Sequence, residues 1–167
     1  MFIRKAEAKD LPAIASLERR VEDPSIAASL EVLHNRLVLY PEGFFVAVSN
    51  QVVGYLESIR WDNPSFERFE EIKNYEHMHR SSGAVLYIAF LAVDPAYRRY
   101  GTAFKLLTAA ENMAARNGVI KIQLVSQPKL VRFYRIMGFR EVRTLPFYLE
   151  SSIGELMEKT LAASAAP

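Results

Sequence analysis

The apolar positions of this chain follow two rhythms. Residues 84–93, Ala-Val-Leu-Tyr-Ile-Ala-Phe-Leu-Ala-Val, form a continuous apolar run rich in β-branched and aromatic side chains, closed by Asp94-Pro95. The run is too short to span a bilayer and predicts a fully buried strand. From Ala103 onward, Leu106, Leu107, Ala110 and Ala114 recur at helical spacing, and Asn117-Gly118 supplies the stop signal. Upstream, residues 2–5 predict a short opening strand, and Asp10 followed by Pro12 predicts a helix cap with an early-turn proline. Leu11, Ile14, Leu17 and Val21 mark the inward face of that helix until Asp23-Pro24 breaks it. Ile26, Leu30, Leu33 and Leu37 then restart the helical period, which runs to Tyr40-Pro41. Residues 43–48 and 52–59 are β-prone runs on either side of Ser49-Asn50-Gln51, the pattern of a hairpin.

Downstream, residues 119–125 set Ile120, Ile122 and Leu124 against Lys121 and Gln123, predicting a half-exposed strand. Gln127-Pro128 starts a helix on which Leu130, Phe133, Tyr134 and Met137 share a face, and Gly138 ends it. Residues 139–145 predict a strand that Pro146 interrupts, and residues 147–161 supply the last one, anchored by Ile153, Leu156 and Met157. Residues 61–83 differ. They mix Trp61, Phe66, Phe69 and Tyr75 with charge and lack a strand period, which predicts an excursion with a short helix around residues 66–75. A substrate lid is one reading of this excursion, and aromatic plugging of the core is the other. The order of hairpin strands followed by β-α-β-α-β predicts an α/β (α+β) fold, a mixed sheet with helices on both faces.

Composition narrows the function classes. The 167 residues, half of them hydrophobic and 24% charged, suit one soluble domain over residues 1–161 with a frayed tail at 162–167. A net charge of +2 gives no reason to expect a nucleic-acid partner, and no segment predicts membrane insertion. Basic residues concentrate in the second half, which suits an anionic ligand there, although a solvated basic face has the same signature. The absence of cysteine excludes disulfides, Cys-ligated zinc and thiol nucleophiles, and fits the cytoplasm. His77 and His79 alternate as metal ligands do, but no third ligand accompanies them, so a solvated loop and no metal site are expected.

Between the buried run and the helix after it stand Arg98, Arg99, Tyr100, Gly101, Thr102 and Ala103. Two guanidinium groups beside the open N–H groups of a helix start, with glycine and small residues permitting close approach, suit a pyrophosphate. Alone, Arg98-x-x-Gly101-x-Ala103 is a weak pattern. Set between a buried strand and an amphipathic helix, and followed by Phe133-Tyr134-x-x-x-Gly138-Phe139, it resembles the GNAT superfamily of acyl-CoA-dependent N-acetyltransferases over most of the chain.

That resemblance implies a mostly antiparallel, twisted sheet with a splayed central strand pair. It implies acetyl-CoA as co-substrate, its pyrophosphate on Arg98, Arg99, Tyr100, Gly101, Thr102 and Ala103. The pantetheine arm would pair with the main chain of Leu91, Ala92 and Val93, with the oxyanion met by an N–H near Leu91. Tyr134 matches the family tyrosine that protonates the leaving thiolate; its shared face with Leu130 and Met137 would mark a core residue were the flanking Phe133 and Gly138-Phe139 absent. Leu39-Tyr40-Pro41-Glu42, Trp61-Asp62 and Leu91-Ala92-Val93 resemble the arylalkylamine N-acetyltransferase branch, which implies a small aromatic or apolar amine as acceptor. The histidine pair of that branch falls here on Tyr87 and Ala89, which leaves the general base open. Glu57, which would share a strand face with Tyr55 and Ile59, is a weak candidate base, and surface exposure is the expected reading. Gln127 and Leu130 stand where the family often has Asn and Ala. A protein N-terminal or lysine acetyltransferase and a non-catalytic acyl-CoA-binding module are the alternatives, as a monomer or a homodimer. Neither Gly-x-x-x-x-Gly-Lys nor Gly-x-Gly-x-x-Gly is present, which disfavours P-loop and Rossmann nucleotide binders.

Overall fold

The structure, a computed structural model, describes residues 1–21, 27–62, 65–73, 75–149 and 152–161. The expected break at Asp23-Pro24, the anchor at Ile26 and the tail at 162–167 lie outside the described residues. In chain order the elements are β1 (Phe2–Lys5), α1 (Leu11–Val21), α2 (Leu30–Leu39), β2 (Phe44–Val48), β3 (Val52–Trp61) and α3 (Phe69–Lys73). After these come β4 (Val85–Val93), α4 (Thr102–Arg116), β5 (Lys121–Ser126), α5 (Val131–Ile136), β6 (Arg140–Leu149) and β7 (Ser152–Thr160). The strands join in one seven-stranded sheet ordered β1-β2-β3-β4-β5-β7-β6, mostly antiparallel, with helices on both faces. The β4–β5 pair is parallel. Among the described residues no helix is long and apolar enough to cross a membrane.

The chain divides into two compact units, one of Met1–Ser58 with Phe90–Met113, the other of Ile59–Ala89 with Ala114–Pro167. In the first, β2 pairs antiparallel with β1 and β3, and Ser49 N–H closes the hairpin on the Gln51 carbonyl at 3.0 Å. Leu11, Ile14, Ala15 and Leu17 of α1 and Leu33 and Leu37 of α2 pack with Phe44, Val46, Tyr55 and Ala92. Each large apolar side chain among them contributes about 1.5–3 kcal/mol on burial. Two expectations change here. Asp10 does not cap α1: it ends a single 3₁₀ turn at Ala8–Asp10, and its carboxylate reaches back to the Glu7 N–H at 2.8 Å and to Arg4. Leu30 is half exposed, because Ser29 caps α2 at Val32 N–H and so begins the buried face at Leu33. Apolar periodicity also says nothing of Glu18, fully buried in α1, whose carboxylate accepts the Ala28 N–H at 2.6 Å and the Tyr55 hydroxyl at 2.7 Å.

In the second unit, β7 lies between β5 and β6, antiparallel to both. Pro146 does not interrupt β6, which continues to Leu149. The register shifts between Glu141 and Arg143 and again between Thr144 and Tyr148, and such a gap in the ladder accommodates a residue with no N–H to donate. The alternation expected of β5 also fails: Ile120 precedes the strand and is 59% exposed, while Gln123 is 2% exposed. The successive residues Ile122, Gln123 and Leu124 are all buried, so β5 is covered on both faces there, and the Gln123 amide oxygen accepts the Trp61 indole N–H at 3.2 Å. Ile153, expected as an anchor of the last strand, is exposed, whereas Leu156 and Met157 are buried.

Candidate functional site

The parallel ladder covers Val85–Ile88 on β4 and Lys121–Leu124 on β5, although β4 continues to Val93 and β5 to Ser126. Among the described residues the last residues of β4 therefore have no ladder partner on that side, so main-chain groups of Leu91 and its neighbours could pair with a ligand there. Leu91 is half buried, and Ala92 and Val93 are buried. Asp94 ends the strand and shapes the turn beyond it. Its N–H donates to the Val53 carbonyl at 2.9 Å, its carboxylate accepts the Ala96 N–H at 3.0 Å, and Arg20 donates to the same carboxylate at 2.8 Å.

A 3₁₀ turn at Pro95–Tyr97 then leads into the basic stretch. Arg99 at φ 69° and Gly101 at φ 72° take the left-handed conformation on either side of Tyr100. For a non-glycine residue that conformation costs about 1–2 kcal/mol. Alternating handedness of this kind turns successive N–H groups into an anion-binding concavity. Thr102 is buried, its hydroxyl donating to the Tyr97 carbonyl at 3.0 Å, so the side chain braces the turn and only the N–H is offered outward. The first bond into α4 runs from Lys105 N–H to the Gly101 carbonyl at 2.9 Å. Among the described residues the N–H groups of Thr102, Ala103 and Phe104 have no backbone partner. A Cβ on Gly101 would meet nothing within 4 Å, so the space above the turn is open. Arg98, Arg99, Tyr100 and Lys105 are exposed around it, and Arg98 Nε donates to the Val93 carbonyl at 3.3 Å. The arrangement fits a pyrophosphate by backbone, charge and space together.

Tyr134 belongs to the second unit, on α5, and is 7% exposed. Its ring meets Phe133 and Phe139 edge-on at 5.1 and 5.8 Å, so the packing expected of a core residue is present. Its hydroxyl has no hydrogen-bond partner among the described residues, and burial pushes its pKa up to about 12. It is a neutral donor throughout the physiological range. Leu130 does not complete its face, being 41% exposed.

The residues standing where the histidine pair would be offer no base. Tyr87 is 1% exposed and stacks on Trp61 at 4.0 Å and 19°, and burial alone lifts its pKa far above the ordinary phenol value. Trp61, Phe66 and Tyr75 complete this aromatic cluster and so plug the core of their unit, whereas Phe69, also of the excursion, is half buried against Phe147. His79 is not in a solvated loop as expected. Its Nδ1 accepts the Arg60 N–H at 3.3 Å, and burial together with the charges of Arg60 and Arg80 holds its pKa below the usual imidazole value. No cluster of three metal-ligating side chains occurs among the described residues. Glu57 is not a surface carboxylate: it is 2% exposed, with Oε1 3.5 Å from Arg36 Nε. Only the position of Arg36, one step before Leu37 on the buried face of α2, hinted at this pairing.

A model of the acetyltransferase (GNAT) family matches residues 9–139. An uncharacterized N-acetyltransferase of Methanocaldococcus jannaschii is 31% identical over 156 residues, covering 90% of this chain and 85% of the relative. Among solved structures, the loading GNATL domain of CurA from Lyngbya majuscula superposes with a TM-score of 0.83 at 21% identity, covering 95% of this chain and 96% of that one. The GphF GNAT-like decarboxylase in complex with isobutyryl-CoA gives 0.80 at 23% identity, covering 96% and 99%. At these identities the two structures speak for the fold.

Proposed function

The chain belongs to the acetyltransferase (GNAT) family, and on that footing we propose that it transfers an acetyl group from acetyl-CoA to a primary amine, a small aromatic or apolar one. The observation that carries this reading is the turn after β4, where two left-handed residues, free helix-start N–H groups and two arginines surround open space. The pyrophosphate binds residues 98–103 through charge-assisted bonds from guanidinium and backbone N–H. The pantetheine arm adds to the edge of Leu91, Ala92 and Val93 as a further strand, and the Leu91 N–H receives the developing oxyanion. The amine nitrogen attacks the carbonyl carbon, the C–S bond breaks, and Tyr134 gives its proton to the departing thiolate. The proton lost by the amine returns to the phenolate through water, so the products are the amide and CoA thiol. The relative from M. jannaschii, described as an N-acetyltransferase, supports the reaction class. The GphF structure, which holds isobutyryl-CoA, supports an acyl-CoA on this fold. The aromatic acceptor rests on the resemblance carried by Leu39-Tyr40-Pro41-Glu42 and Trp61-Asp62.

One observation favours a second reading. With Tyr87 buried in an aromatic cluster and Ala89 beside it, no side chain at those positions can relay a proton from the amine, which suits a non-catalytic acyl-CoA-binding module. Because the chain has no cysteine, a thiol reagent reads only released CoA, and a panel of amines with acetyl-CoA separates the two. Amine-dependent thiol release supports the transferase. Tight CoA binding without release for any amine, peptide amines included, supports the module, and absence of CoA binding defeats both.

A further inference from the structure

Beyond Leu91, toward the start of β4, a charged cluster converges on one aromatic ring. The Arg36 side chain on α2 is 9% exposed and its Nε stands 3.5 Å from Oε1 of Glu57 on β3. The guanidinium carbon lies over the ring of Phe90, 5.4 Å from its centroid. The Asp94 N–H bonds the Val53 carbonyl at 2.9 Å, so the end of β4 runs beside β3, and Arg36 touches both Glu57 on β3 and Phe90 on β4. Phe90 is only partly buried where it packs on the α1–α2 core. A buried Arg–Glu pair is a weak stabiliser, since desolvation offsets most of its attraction, so its presence against a half-covered ring asks for a reason other than stability. The direction of a bound acyl-CoA supplies one. With phosphates on residues 98–103 and the thioester carbonyl at Leu91, the arm runs along β4 toward its N-terminal end, and the acyl substituent points on toward Phe90.

We propose that Phe90, clamped by the Arg36–Glu57 pair, sets the size of the acyl group this protein accepts. The proposal rests on acyl-CoA binding along residues 91–103. A free phenylalanine can swing aside for a longer chain, whereas this ring gives up its cation–π contact if it moves, and the guanidinium, held by a buried carboxylate, does not follow it. The clamp admits the two carbons of acetyl and excludes longer unbranched acyl groups.

The test needs no acceptor amine: CoA, acetyl-CoA, butyryl-CoA and hexanoyl-CoA are titrated calorimetrically into the parent protein, Phe90→Ala and Arg36→Met. The parent should bind acetyl-CoA about tenfold or more tightly than hexanoyl-CoA, the discrimination one or two misfitting methylenes produce. Phe90→Ala should shrink that ratio about tenfold while CoA itself binds as before, and Arg36→Met should shift it in the same direction by a smaller factor. If Phe90→Ala does not fold by circular dichroism, Phe90→Leu answers the same question through the same ratio. CoA binding with an acetyl-to-hexanoyl ratio that none of the variants changes, or a parent indifferent to chain length, overturns the proposal alone. A parent that does not bind CoA overturns the acyl-CoA reading, and this proposal with it.

Discussion

Tyr134 combines a packed ring with a hydroxyl that has no partner among the described residues. A phenol lifted to about 12 is a weaker acid than in water, so it protonates a thiolate only as C–S cleavage builds charge on sulfur in surroundings that raise the thiol as well. Tyr134→Phe keeps the ring and should lower kcat by about 10²–10⁴-fold with acetyl-CoA binding nearly intact, the loss shrinking for donors with a more acidic leaving thiol. A parental rate in Tyr134→Phe would return Tyr134 to the core. The same shift fixes the pH behaviour: the acid stays protonated until the pH nears 12, so no alkaline fall in kcat/KM below pH about 10 should come from it. Gly101→Val offers a second check. The Cβ meets open space, but a β-branched residue at φ 72° is strained, and its side chain fills the ground the phosphates need. CoA affinity should fall by about 1–3 kcal/mol in calorimetry, and unchanged affinity in a folded variant would remove residues 98–103 from the site. At this scale the sequence was partly legible. Gly101, Arg98 and Tyr134 stand out as candidates by type and spacing, whereas Glu57 and Gln123 look like surface residues. Their burial comes from partners remote in sequence, Arg36 and Trp61, which no local pattern reveals.

Elements were legible wherever one periodicity ran without competition. The apolar run at residues 84–93 is β4, and the helical spacing from Ala103 is α4. Where two rules competed, the tertiary partner won. Pro146 breaks a ladder in principle, yet β6 passes through it on a shifted register, and β5 ignores its own alternation because both its faces are covered. Asp10 shows the same at a helix start, and it carries a pH prediction. Burial would raise its pKa, but the hydrogen bonds from Arg4 and the Glu7 N–H outweigh burial and hold it below the ordinary carboxylate value of 3.8. A carboxyl depressed on folding stabilises fully above its unfolded pKa and loses that contribution as the pH falls through the folded value. Thermal melts should therefore lose stability below pH about 4, and Asp10→Asn should flatten that acid limb while costing about 0.5–1.5 kcal/mol at neutral pH. An acid limb identical in Asp10→Asn would show that other carboxylates govern it. The end of β3 makes a steric prediction. A Cβ at Gly83 would stand 2.7 Å from both the nitrogen and the carbonyl oxygen of Trp61, backbone that cannot give way, while Arg60 Nε holds the Gly83 carbonyl at 2.8 Å. Gly83→Ala should cost about 1–3 kcal/mol in urea unfolding, and a neutral result would mean that the Trp61 backbone moves freely.

Over the whole chain, the strand order and the parallel β4–β5 pair agree with the family match across residues 9–139. What the whole protein does with a bound acyl-CoA is a question of linkage. A ligand that binds only the folded state raises stability by RT ln(1 + [L]/Kd), about 2.7 kcal/mol at a hundredfold excess over Kd. For a chain of this size that amounts to roughly 5–11 °C in melting temperature. CoA should produce such a shift, while pantetheine without phosphates should produce much less, because the contacts at residues 98–103 are made to phosphate. Salt sharpens the test. Arg98 and Arg99 are exposed, so raising the ionic strength should shrink the CoA shift as the Debye length contracts, whereas the pantetheine shift should hardly move. Equal shifts from CoA and pantetheine, or a CoA shift indifferent to salt, would place the anchoring energy on the strand edge of Leu91, Ala92 and Val93 and leave the arginine turn without its assigned role.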